Sequence, residues 1–169
     1  CAPKQIDPKN KGSLPSTGEA YVFNPDPIVN SNDPTLSALN KTIDQFRERV
    51  AISHLSGWGV LDGSYVSVVN GLACEGGFGA SSSKNDFLFL HSDPGFAESM
   101  AYYHGDQFRS WLDGIGMLYP KSAVKIVVHC EEQDNAYFSR QRGSDGTLVE
   151  KVCLGDSKAS PGASYADDA

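Results

Sequence analysis

The sequence predicts an α+β chain: a β-rich front half, then one long helix packed on a mixed sheet. Three observations predict it. Short β-branched and aromatic runs alternate with Gly, Pro, Asn and Ser clusters before residue 90, in a chain with 17 Gly and 9 Pro. A single helix signal follows, from Asp93-Pro94 to the glycines Gly114 and Gly116. After it come the apolar run Ala123 to Cys130 and a pair of shorter strand-like segments.

The elements follow in order. Residues 1–18 are polar, with Lys4, Asp7, Lys9, Asn10 and Lys11, and read as a flexible tether or linker. Ala20-Tyr21-Val22-Phe23 is a short strand stopped by Asn24-Pro25-Asp26-Pro27. Residues 24–40 read as an ordered loop, and Thr42 to Arg49 as a short helix or a polar connection. Arg49 to Leu55 alternates as a strand, and Val60 to Val69 is a stronger one after the Gly57-Trp58-Gly59 turn. Residues 71–83 are rich in Gly and Ser but lack the G-x-x-x-x-G-K-[ST] spacing of a phosphate loop, so they read as a surface loop. Asp86 to Leu90 reads as a buried strand.

In the helix, Asp93 is the expected cap and Pro94 the first helical residue. Phe96, Ala97, Met100, Ala101, Tyr103, His104, Phe108 and Trp111 recur at three- and four-residue steps, a wide apolar face for more than one neighbour. Ala123 to Cys130 is a buried strand. Asn135 to Phe138 and Thr147 to Leu154 form a hairpin beside it, turning at residues 142–146, and 155–168 is a polar loop. The domain reading is therefore 1–18 tether, 19–83 β-rich region, and 84–169 the start of a second region.

The chain has 169 residues, 14 Lys+Arg and 21 Asp+Glu, for a net charge of -7. A phosphate-tracking surface needs a basic stripe, and the nearest approach is the sparse Lys4, Lys9, Lys11, so nucleic acid is not the expected partner. No apolar run reaches the roughly 18–20 residues of a membrane span. A chain opening Cys-Ala before a polar stretch resembles a processed bacterial lipoprotein, with Cys1 carrying the lipid and tethering the domain to a membrane; an arbitrary cut at a cysteine is the alternative. Cys74, Cys130 and Cys153 form no C-x-x-C pair. Cys130 and Cys153 each end an apolar strand and are the expected disulfide in an exported chain. Asn40-Lys41-Thr42 fits the glycosylation acceptor pattern, which chance also produces.

Candidate chemistry is sparse. There is no G-x-S-x-G elbow. His54, His91, His104 and His129 are scattered, and no two fall at i, i+4. His91 with Asp93, or Glu98 with His104, are weak metal pairs, and a structural role is the better expectation for each. His129-Cys130-Glu131-Glu132 stands at a strand end, where polar residues meet water. Asp167 and Asp168 alone are too few for Ca²⁺, which takes about six to eight oxygens. The residues by themselves give an exported α+β domain without a complete active site.

One further pattern carries more. Phe96 to His104 (F-x-x-x-M-A-Y-Y-H), Val124 to His129, Asp134 to Phe138 (D-N-A-Y-F), Leu148 to Gly155 and Tyr165 to Ala169 (Y-A-D-D-A) occur in that order. Val22-Phe23-Asn24-Pro25-Asp26-Pro27, Asn32-Asp33-Pro34-Thr35-Leu36 and Gly59-Val60-Leu61-Asp62-Gly63 precede them. Over about residues 19–169 this resembles the thermolysin-like and fungalysin-like zinc metallopeptidases (gluzincins), upstream of their H-E-x-x-H helix. The resemblance implies that 84–169 is the upstream lobe of a catalytic domain, truncated before the zinc histidines and the general-base Glu. No catalytic or metal residue is then expected here, while zinc, with calcium as a second candidate, is expected in the complete protein. It also implies a peptide-binding edge strand. Asn135 offers its side-chain amide and Ala136 its backbone carbonyl to a peptide or protein substrate, with Tyr137 and Phe138 supporting the strand or shaping a subsite. Asp167 and Asp168 would lead into the catalytic helix and favour its N-terminus. The expected role is a fragment of a secreted or cell-envelope metalloendopeptidase; a non-catalytic surface module or a degenerate homologue is the alternative.

Overall fold

The computed structural model describes residues 12–36, 41–72, 77–117, 122–130, 135–142, 146 and 148–156. Cys1, Cys74, Asn40, Glu131, Glu132, Asp134, the turn residues 143–145 and the stretch 157–169 with Asp167 and Asp168 lie outside them. The chain is α+β, with one long helix between two mixed sheets.

The first sheet has the order β2-β1-β4. Strand β1 (Gly18–Val22) pairs antiparallel with β2 (Glu48–Ile52) and parallel with β4 (Asp86–Phe87). Between β1 and β2 lie a short helix α1 (Pro27–Ser31) and a 3-10 helix (Lys41–Phe46). Within the stretch read as a loop, α1 forms because Asp26 caps it. One carboxylate oxygen accepts from the amides of Ile28 (2.8 Å) and Val29 (3.2 Å), and Pro27 needs no donor at the first turn. The polar connection takes the 3-10 form, with Arg47 bonded to Asp44 at 2.8 Å.

The second sheet has the order β3-β5-β7-β6. Strands β3 (Val66–Asn70), β5 (Val124–Cys130) and β7 (Leu148–Gly155) are parallel, and β6 (Ala136–Arg142) runs antiparallel to β7. Several expected strands are shorter than read, Arg49 to Leu55 among them, which ends at Ile52. The run Val60 to Val69 breaks at Gly63-Ser64 and folds back, with Asp62 bridging to Ser67, so only Val66–Asn70 is continuous strand. The run Asp86 to Leu90 ends at Phe87, and Leu90 is exposed. The hairpin strand is longer than read, reaching Arg142.

Helix α2 (Pro94–Gly114) lies between the sheets. Its face of Phe96, Ala97, Met100, Ala101 and Tyr102 meets Ala20, Val22 and Phe87 of the first sheet and Val66, Val68, Ile126 and Val128 of the second. This single core draws on both sides of residue 83. Each large apolar side chain removed from water there contributes about 1.5–3 kcal/mol. Gly105 lets the helix lie close: a Cβ would stand 3.0 Å from Val66 Cγ2 and 3.1 Å from Ile126 Cδ1. The cap differs from expectation, because Asp93 makes no side-chain bond to the helix; its Oδ2 accepts from the Leu90 amide at 2.9 Å, pinning the entry loop. Two residues expected on the apolar face lie off it. Phe108 and Trp111 stack on each other, centroids 6.0 Å apart, and stand exposed, while Leu112 beside them is buried.

A second, smaller core covers the opposite face of the second sheet, with Val69, Val127, Cys130 and Cys153 and the half-buried Phe78 and Tyr137. Cys130 and Cys153 are joined there by a disulfide, their Cα atoms 5.9 Å apart on adjacent parallel strands. The final part of the stretch read as a tether is tied to the body. Leu14 donates to the Gly57 carbonyl (3.2 Å), and the Ser16 carbonyl accepts from Leu55 (2.9 Å).

Candidate functional site

The second sheet has two edges, and they differ. Along β3 the segment 61–63 closes the edge. Val68 donates to the Leu61 carbonyl (2.9 Å) and Gly63 to the Val66 carbonyl (2.8 Å). Along β6, no strand pairs with the outer edge among the described residues.

The ladder fixes which groups of β6 face outward. Gly155 donates its amide to the Asn135 carbonyl at 2.8 Å, and the register runs from Ala136 opposite Leu154 to Arg142 opposite Leu148. In an antiparallel pair, hydrogen-bonded and non-bonded positions alternate. Asn135, Tyr137, Ser139 and Gln141 therefore turn their backbone groups toward β7. Ala136, Phe138, Arg140 and Arg142 turn theirs away, toward the open edge. The residue step along the strand is about 3.3 Å, so this outward row runs on the order of 20 Å.

Side chains divide by the same period. Tyr137 packs on the face that carries the disulfide. Phe138 is on the opposite, helix-side face and is 61% exposed. Behind it a cavity of about 290 Å³ opens between Val124, Leu148, Glu150 and Arg109 of α2. Arg140 bonds Glu150 across the ladder, Nε to Oε1 at 2.6 Å, and Arg142 is exposed. Asn135, Ala136, Tyr137 and Phe138 are expected to act as one unit. They are contiguous here, with Asn135 just ahead of β6, but Tyr137 and Phe138 point to opposite faces and face different surroundings. Arg140 and Arg142 were not singled out, although their spacing of two from Phe138 places them on its face.

The start of this edge is anchored by His129, which is 2% exposed although its place at a strand end suggested contact with water. A register shift between Val128 and Cys130 and a left-handed φ of 54° turn the imidazole inward. Nδ1 lies 2.7 Å from Asp156 Oδ1, and Nε2 lies 3.3 Å from the carbonyl of Pro94. Asp156 directly follows Gly155, the residue that holds Asn135. Close by, the buried Glu98 accepts from Asn70 Nδ2 (3.0 Å) and the Ala80 amide (2.8 Å). Burial pushes its carboxyl above the usual carboxylate range, against those bonds and the nearby His129.

The remaining histidines are held by contacts within the fold. His104 contacts the Phe23 carbonyl at 3.1 Å, with burial lowering its imidazole below the ordinary value. It is thereby committed away from Glu98. The His91 amide donates to Asp44 Oδ1 (2.9 Å), and its ring lies against Phe23 and Phe96. His54 is held 2.9 Å from the buried carboxylate of Asp106 and lies tilted against Tyr65, centroids 4.2 Å apart. Burial raises the Asp106 carboxyl, opposed by the His54 bond. Among the described residues no three of His, Cys, Asp and Glu converge as a metal site, and the sequence holds no H-E-x-x-H. The described residues do not fit a zinc centre. The chain matches no family model, no curated protein and no solved structure.

Proposed function

We propose that this chain is the substrate-aligning part of a secreted or lipid-anchored zinc metalloendopeptidase, with β6 as the strand that receives an extended peptide. The observation that carries it is the outer edge of β6, which no described strand covers and whose outward row begins at Ala136 directly after Asn135. An unpaired edge offers donors and acceptors at fixed spacing to any extended backbone and demands little of its sequence. This suits a peptidase that must hold many substrates in one conformation. Export is supported by the Cys130–Cys153 disulfide, a bond favoured in oxidising compartments. In this reading the chain binds and aligns, and zinc is held by ligands that these residues do not supply. Cys1 is the proposed lipid attachment point.

A second reading keeps the edge and drops the chemistry: a non-catalytic binding module. The observation favouring it is that α2 already buries its inward face completely within this chain, with Phe96, Met100 and Tyr102 at 0% exposure. Sequencing the coding frame beyond Ala169 separates the two. The peptidase reading predicts H-E-x-x-H within about ten residues. Unrelated sequence or a stop there overturns it and leaves the binding module.

A further inference from the structure

We infer that the β6 edge selects extended peptides by charge, favouring an acidic side chain opposite Arg142, four residues from the position opposite Phe138. The inference rests on the peptide-edge reading and adds a substrate class to it. A strand added to an edge pairs residue for residue with the outward-facing positions, and paired side chains lie on one face. The outward row is Ala136, Phe138, Arg140, Arg142, all on the helix side of the sheet. A bound peptide thus presents alternate side chains in turn to a methyl group, an exposed ring and two guanidinium groups.

The two arginines are not equivalent. Arg140 is engaged by Glu150, Nε to Oε1 at 2.6 Å, so the charge it shows to a partner is largely offset. Arg142 stands opposite Leu148, an apolar residue, and is exposed. β6 itself carries no carboxylate, in a chain whose net charge is -7. The edge is thus a local reversal of the overall sign, with an apolar end at Phe138 and a cationic end at Arg142. Backbone pairing supplies affinity without sequence; this gradient along the row supplies preference and polarity.

Exposed cross-strand charge pairs have modest strength. Replacing a neutral residue opposite Arg142 by an acidic one should tighten binding about two- to fivefold at low salt, fading as salt screens the pair. The test uses the whole chain and dye-labelled nine-residue Thr/Val peptides. Each carries one Leu and, four residues away, Glu, Gln or Lys, and each is made in both orders because the added strand has two possible directions. Fluorescence anisotropy should rank Glu above Gln above Lys in one order only, and Arg142→Glu should reverse that rank. Equal affinity of the three peptides, or a rank that survives Arg142→Glu, overturns the charge preference while the binding edge stands. Failure of every peptide to bind overturns the edge reading and the preference with it.

Discussion

The two edges of the second sheet end differently. The β3 edge is sealed by its own chain: Leu61 and Gly63 take up its backbone groups, and Val66 and Val68 are buried at 1% and 0%. The β6 edge carries Phe138 at 61% exposure and two exposed arginines. An unprotected edge invites aggregation, and proteins blunt it with charge, twist or cover. Here one edge is covered and the other carries charge. That combination is the physical basis of the proposed peptide binding.

The contrast predicts unequal costs. Leu61, 1% exposed in the segment that seals β3, should lose about 2–5 kcal/mol on Leu61→Ala in urea unfolding, because both the cover and the core beneath it open. A loss below about 1 kcal/mol would mean the β3 edge is not held by this segment. An intermediate effect belongs to pH. Burial lowers the His104 imidazole in the folded chain. The unfolded chain therefore takes up the proton first, so this contribution to stability is intact above the unfolded value of about 6.5 and is lost as pH falls below it. His104→Gln, which keeps a donor for the Phe23 carbonyl, should narrow the stability gap between neutral and mildly acid pH; an unchanged gap would assign the acid sensitivity elsewhere. The smallest effect is at the open edge, where Phe138→Ala should shift stability by no more than about 0.5 kcal/mol.

Much of this architecture is legible in the sequence, for identifiable reasons. Asp93-Pro94 and the three-four spacing mark α2, and the apolar run to Cys130 marks β5, because both patterns persist over whole elements. What escapes is set by single contacts. The Val60 to Val69 run looks continuous, but Gly63 packs where a Cβ would meet the His54 carbonyl and the Tyr102 hydroxyl, and the chain turns there. α1 is only five residues long, too short for periodicity, though its Asp-Pro start is visible afterwards. His129 looked solvated because strand ends usually are; a bulge turns it inward, which local sequence does not reveal. In the candidate site, the N-A-Y-F segment stood out through family resemblance. The arginine row depends on the register with β7, and that is a property of the folded sheet.

The central claim is that alternate amides of β6 face an open edge that a peptide can fill. Residue-resolved amide hydrogen exchange, with and without the Glu-bearing peptide, tests it directly. Tyr137, Ser139 and Gln141 should be protected in the free chain while Ala136, Phe138, Arg140 and Arg142 exchange fast, and only the second set should slow on adding peptide. Uniform protection along β6 in the free chain, or fast amides that stay fast at saturating peptide, would contradict it.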